Sequence, residues 1–197
     1  MNRRREVVVA GYLGDVPTAT AALGDAAPDV RAAALGALAR LEALTAEHLT
    51  LALADPDRNV VRRAIELSVD VPEVELLPLV ERRDATVVEV AAWALGERGA
   101  GQADEVVARL SHLARSHSDA LVREAAVAAL GSIGADTGLP AILGAMDDKA
   151  AVRRRAVVAL AAFDGPDVDA ALTRALTDRD WQVRQVAEDL TALPDDG

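Results

Sequence analysis

The chain has 197 residues, no cysteine and a formal net charge of −11. Lack of cysteine removes disulfides, thiolate metal sites and thiol nucleophiles, and the negative charge argues against a nucleic-acid backbone as main partner, because phosphates require a concentrated positive surface. Hydrophobic residues are 51% of the chain but aromatic ones only 2%, so a core must be built from Ala, Leu and Val, and no run approaches the ~18 apolar residues of a membrane helix.

The chain opens on Arg3-Arg4-Arg5-Glu6-Val7-Val8-Val9. The apolar run is too short for a signal peptide and Asp15 interrupts it, so a cytoplasmic location is expected. A motif then returns about every thirty residues, the mark of a repeat array. It runs from Asp25 through Val30-Arg31 and Ala34 to Ala37-Leu38, and again from Asp119 through Val122-Arg123 to Leu130. Further copies run from Asp147 through Val152-Arg153 to Leu160, and from Asp178 through Val183-Arg184 to Ala187. Two degenerate copies lie between the first and second. One follows Asp55, where Val60-Val61-Arg62-Arg63 leaves the alignment ambiguous by one residue; the other places Val88 at the arginine position. The opening segment reads as the second half of a truncated first repeat.

Within each motif the apolar residues fall at i, i+4, i+7 and i+8, as in Val122, Ala126, Ala129 and Leu130. That is a helical stripe. Shorter apolar segments precede the motifs: Ala46–Leu53, Val74–Val80, Glu105–Leu113, Leu139–Met146 and Val168–Leu176. They predict a first helix, A, for each motif helix, B. Aspartates in the turn between A and B cap the second helix. The segments Gly96–Gly101 and Gly131–Gly138 read as glycine-rich turns between repeats. Pro72 and Pro140 suit the first turn of a following helix, whereas Pro78 should bend the stretch it occupies. The expectation is six helix pairs after one leading helix. One pair cannot bury its own apolar face, so neighbours must stack. With layers about 8–10 Å apart, a curved rod of roughly 60 Å results. Residues 1–193 read as a single repeat domain and 194–197 as a polar tail.

The signature of Asp, a short turn and Val-Arg-x-x-Ala-x-x-Ala-Leu resembles HEAT repeats. Its alanine-rich form is most similar to the HEAT-like repeats of phycobilin lyases. The resemblance implies an all-α, right-handed alpha-alpha superhelix (an α-solenoid) with the B helices on its concave face. It also implies a structural ladder between neighbouring repeats, pairing the turn aspartates Asp25, Asp147 and Asp178 with Arg31, Arg123, Arg153 and Arg184, and broken at Val88. Fold alone does not choose among the adaptors, inhibitors, lyases and repair enzymes built on such arrays.

On a B helix, the residue after the motif arginine and the one four further on share a face. Those places hold Ala32 and Gly36, Arg63 with Glu66 or Leu67, Glu89 and Trp93, Glu124 and Ala128, Arg154 and Val158, and Gln185 and Asp189. Trp93 stands between Glu89 and Glu97. An exposed tryptophan there would anchor an apolar or cationic side chain; the alternative is that it fills space in a core poor in aromatics. Arg153-Arg154-Arg155, with Arg62-Arg63, would receive an acidic peptide or phosphate, or else Arg153 serves the ladder and the rest are solvated. Trp181 is expected to cover the C-terminal end of the core.

Enzyme signatures are weak. Ser116-His117-Ser118-Asp119 has the residue types of a catalytic triad, but consecutive residues do not form its geometry. His112 and His117 are badly spaced for a shared metal. No metal or cofactor is expected. The leading expectation is a non-catalytic protein-binding scaffold or adaptor using Glu66, Glu89, Trp93, Glu97, Glu124, Arg154 and Asp189. Its partner would be a protein or peptide, with no nucleic acid and no membrane, and the chain itself a monomer or weak dimer. The alternative is a lyase-type enzyme subunit or small-molecule-binding chaperone on the same repeat.

Overall fold

The computed structural model describes residues 2–99 and 104–192, and among these every regular element is helical. Helix α1 (Arg3–Leu13) leads. Six pairs follow: α2 (Val16–Ala21) with α3 (Pro28–Arg40), α4 (Ala46–Leu53) with α5 (Arg58–Leu67), and a 3-10 turn (Leu77–Glu81) with α6 (Ala85–Glu97). The others are α7 (Asp104–Ser116) with α8 (Ala120–Ile133), α9 (Leu139–Ala145) with α10 (Ala150–Leu160), and α11 (Pro166–Ala175) with α12 (Trp181–Thr191). The expected tail at 194–197 lies outside the described residues.

Local chemistry sets the helix ends. Asp57, Asp119 and Asp180 accept hydrogen bonds from backbone N–H groups of α5, α8 and α12, satisfying donors that a first turn leaves unpaired. Thr45 and His48 close a reciprocal capping box on α4. Gly134 ends α8 in the left-handed conformation, at φ +66°, and its N–H reaches the Leu130 carbonyl. That geometry favours glycine.

The third pair departs from expectation. Instead of an A helix over Val74–Val80 there are turns and the 3-10 segment, although Val74, Leu76, Leu79 and Val80 are still buried. Pro72 and Pro78 interrupt the helical hydrogen-bond ladder within a few residues of each other. The apolar side chains keep their place in the core while the backbone loses its helix.

Residues Met1–Ala94 and Leu95–Gly197 form two compact units that divide inside α6. In the first, α1 packs on α3 and α3 on α5 around Val7, Leu35, Leu38, Leu49 and Ile65. In the second, α8 packs on α7 and α10, and α10 on α12, around Leu110, Leu130, Ile142 and Leu160. All these side chains are fully buried, each contributing ~1.5–3 kcal/mol.

Small residues set the approach of neighbouring B helices. A Cβ at Gly11 would lie 2.9 Å from Ala37 Cα, one at Gly96 2.6 Å from Ala129 Cα, and one at Gly131 2.8 Å from Ala159 Cα. Gly96 and Gly131 are thus not turn residues, as their glycine-rich surroundings suggested. They lie in the last turns of α6 and α8 and let two backbones touch. In these two segments the positive-φ glycines are Gly99 and Gly134.

Candidate functional site

The arginine at the fourth residue of a B helix holds two turns together. Arg31 donates Nε and Nη2 to the two Asp55 carboxylate oxygens at 2.7 and 2.8 Å, and Nη1 to the Asp25 carbonyl at 2.8 Å. Arg123 pairs with Asp148 at 2.6 and 2.7 Å and donates to the His117 carbonyl at 2.7 Å. Arg153 pairs with Asp178 at 2.8 and 2.7 Å and donates to the Asp148 carbonyl at 2.8 Å. Each guanidinium therefore ties its own interhelix turn to that of the next repeat through a bidentate pair, the strong geometry for Arg and carboxylate. The aspartates also organise their own turns: Asp55 and Asp178 accept from the N–H two residues on, at 2.8 Å.

Several partners differ from those the resemblance implied. Asp148, not Asp147, receives Arg123, while Asp147 meets Arg174 at 3.2 Å in an exposed pair. The neighbouring side chains point in different directions, and only Asp148 faces the preceding repeat. Asp25 lies 3.6 Å from Arg3 Nε. Arg184 donates to the Asp178 carbonyl at 2.7 Å and has no carboxylate partner among the described residues. The ambiguous register of the second pair is resolved by helix hydrogen bonding. Val61 N–H bonds to the Asp57 carbonyl as Arg31 N–H does to Ala27 and Val88 N–H to Asp84. Val61 and Val88 both occupy the arginine position, and both are buried.

These contacts shift titration. Hydrogen bonding to the arginine, outweighing the opposing effect of burial, holds the Asp55, Asp148 and Asp178 carboxyls below the usual aspartate range. A depressed folded-state value adds stability that is full above the unfolded-state value. It is lost as pH falls through the folded one. Stability should therefore be flat near neutrality and decline below about pH 4. Replacing Asp148 and Asp178 together with Asn should lower stability at pH 7 and flatten the acid slope, as read by urea denaturation at several pH values. An unchanged slope would show that other carboxylates govern acid unfolding.

The residues singled out on the B helices fall into two groups. Four are already engaged. Glu66 accepts from Arg63 at 3.0 Å, and Glu124 lies 3.5 Å from Arg155 Nη2. Arg154 donates to Gln182 at 3.0 Å, and Asp189 accepts from Gln185 at 2.9 Å. Glu89 and Trp93, in the first unit, and Glu97, in the second, have no side-chain partner among the described residues. Trp93 is 40% exposed and so is not a core residue. Trp181 does not cover the core either. It is the first residue of α12, 64% exposed, because the Asp180 cap turns it outward.

Sequence reading missed a groove of about 640 Å³ on the B-helix side of the first unit. Arg4 of α1, Arg40 of α3 and Arg62 and Arg63 of α5 surround a floor that includes Ala32 and Gly36. The available signal was the smallness of Ala32 and Gly36 at the two face positions of α3. Among the described residues no His, Cys, Asp and Glu side chains gather as a metal site, and no helix is long and apolar enough to cross a membrane.

No curated protein matches the chain. Among solved structures, two engineered proteins are similar: one at TM-score 0.63 and 19% identity, covering 89% of this chain and 94% of that one, the other at 0.66 and 20%, covering 89% and 96%. A designed armadillo repeat protein is similar at TM-score 0.61 and 16% identity, covering 89% of this chain and 98% of that one. At these identities the likeness shows a shared all-helical repeat solenoid fold. A family model described as HEAT repeats matches residues 74–151 and 107–191, together more than half of the chain. With the stacked helix pairs, this shows that the chain belongs to the HEAT-repeat family.

Proposed function

We propose that this protein is a non-catalytic scaffold that binds another protein through its B-helix faces. The observation that supports this best is Trp93. In a chain whose core is aliphatic, one of only two tryptophans stands 40% exposed on a B helix. Glu89, one turn earlier on the same helix face, has no internal partner. Water gains nothing from an exposed indole, whereas a partner's apolar or cationic side chain does, through burial and attraction to the ring face. Glu89 would pair with the charge of such a cation. Glu66 is a further candidate contact in the first unit, and Glu97, Glu124, Arg154 and Asp189 are candidate contacts on the second unit by itself. Their mixed signs call for a partner of matching charge pattern.

The test is affinity capture from the native host with wild type and a Trp93→Ala, Glu89→Arg variant. A partner held by wild type should be lost, with Trp93→Ala alone weakening the purified complex by ~2 kcal/mol or more if Trp93 is a hot spot. Because the indole is not in the core, Trp93→Ala should leave the melting curve close to wild type. A complex unaffected by the variant would remove Trp93 from the surface. A large loss of stability would return the residue to a packing role.

A further inference from the structure

We propose that the groove formed by α1, α3 and α5 is an acceptor for an acidic peptide segment, its carboxylates received by Arg4, Arg40, Arg62 and Arg63. The proposal rests on the B-helix face being a binding surface and adds where an anionic stretch of the partner sits.

The first argument is charge. In a chain of net charge −11, four of the 21 basic residues line one groove. It also holds three carboxylates, Asp29, Asp57 and Glu66, which keep their charge and leave the groove positive by one, but two of them already have donors within the protein. Asp57 caps α5 through the Asn59 N–H at 2.8 Å, and Glu66 holds Arg63 at 3.0 Å. No carboxylate lies within salt-bridge distance of Arg4, Arg40 or Arg62 among the described residues. The groove therefore has donors in excess, in a molecule whose mean field would repel an anion. Selective attraction of an acidic segment requires this local inversion.

The second argument is hydrogen bonding. Arg62 Nε is buried and has no hydrogen-bond partner. A buried donor without an acceptor is unfavourable; because Nε is closed to solvent, a carboxylate in the groove satisfies it only by drawing the Arg62 side chain toward the groove. Arg40 is positioned in advance: its guanidinium lies 4.3 Å from the Tyr12 ring centroid. Stacking on a ring face leaves the edge N–H groups directed outward for bidentate recognition.

The third argument is space. Ala32 provides no long side chain, so the groove is open above that part of α3, while at Gly36 the floor is formed by the Arg63 guanidinium. A Cβ at Gly36 would come within 3.3 Å of Arg63 Nη2; glycine therefore lets this guanidinium rest on the groove floor. The four arginines come from three helices. Asp29 and Glu66 interrupt the positive surface, which disfavours the continuous phosphate backbone of a nucleic acid but suits a peptide whose acids alternate with neutral residues.

The test uses the full chain and a fluorescein-labelled peptide of alternating Glu and Ala, followed by anisotropy. Saturable binding is expected, weakening as salt rises from about 50 to 300 mM because the pairs are screened. An Arg62→Gln, Arg63→Gln variant should bind at least about tenfold more weakly, since charge-assisted bidentate contacts are removed. Ala32→Glu, which adds a carboxylate to the floor and deletes no arginine, should do the same and guards against a folding artefact. A Lys-Ala peptide should not compete. No binding to wild type, equal binding to both variants, or tighter binding of inorganic phosphate or single-stranded DNA than of the peptide would each overturn the proposal. If the groove fails while the captured partner still depends on Trp93, only this inference falls; if both fail, the scaffold reading falls with it.

Discussion

Arg153→Met is expected to destabilise the protein by about 3–5 kcal/mol, the typical cost of breaking a buried ion pair from one side. The Arg153 side chain is 5% exposed and that of Asp178 13%. The substitution keeps most of the aliphatic volume but removes two charge-assisted hydrogen bonds to Asp178 and one to the Asp148 carbonyl. Asp178 then retains the Asp180 N–H as its hydrogen-bond donor, which does not compensate a mostly buried carboxylate. Arg184→Met is the internal control. That arginine makes the same carbonyl contact, to Asp178 at 2.7 Å, but has no carboxylate to hold, so its loss should be nearer 1 kcal/mol. Equilibrium urea denaturation of the two variants measures the difference. Similar losses would mean that the carboxylate pairing contributes little and that the carbonyl contact accounts for both. The double variant Arg153→Met, Asp178→Asn should be less destabilised than the sum of the singles, because no charge is then left buried alone.

The second large effect is at the helix crossings. Gly131→Ala is expected to cost roughly 1–3 kcal/mol, the usual penalty for overpacking, although alanine is the better helix former by up to ~1 kcal/mol. The new methyl would meet Ala159 Cβ at 2.7 Å and Ala159 Cα at 2.8 Å. The second of these is backbone, so no rotamer change relieves it; α8 and α10 would have to move apart. Gly144→Ala makes the opposite case. Gly144 lies in α9 with nothing within 4 Å of the position its Cβ would take, so the substitution should stabilise by about 0.5–1 kcal/mol through helix propensity. Thermal melts of both variants test the pair of signs. A neutral or stabilising Gly131→Ala would show that the crossing tolerates a wider spacing and that the glycine is not required there.

The contrast between these two glycines shows the limit of local reading. Both lie in helices, although the sequence placed Gly131 in a glycine-rich turn and Gly144 in an apolar helical segment. What separates them is the presence or absence of another backbone overhead, more than ten residues away in the chain. The same holds for Asp147 and Asp148. Either satisfies the repeat spacing, yet a one-residue step around the turn sends one carboxylate to Arg123 of the preceding repeat and leaves the other on the surface with Arg174. In the second pair, Val61 rather than Arg62 or Arg63 takes the ladder position, and both arginines line the groove, Arg63 paired with Glu66.

The periodic features were legible by sequence alone. Apolar residues at helical spacing, aspartates at helix entries and prolines at first turns act within one or two turns of backbone, so they determined the order of the repeats and every helix pair but the third, whose A segment the closely spaced Pro72 and Pro78 keep from forming an α-helix. They also marked Glu89 and Trp93 as sharing one face of α6, since that depends only on the helical repeat. The tertiary structure decided the rest: the exposure of Trp93 and Trp181, the pairing across repeats, the glycine crossings and the groove over Ala32 and Gly36. Each depends on the rotation and spacing of one helix against its neighbour. Those are set by the summed packing of many side chains, which no single segment of the chain encodes.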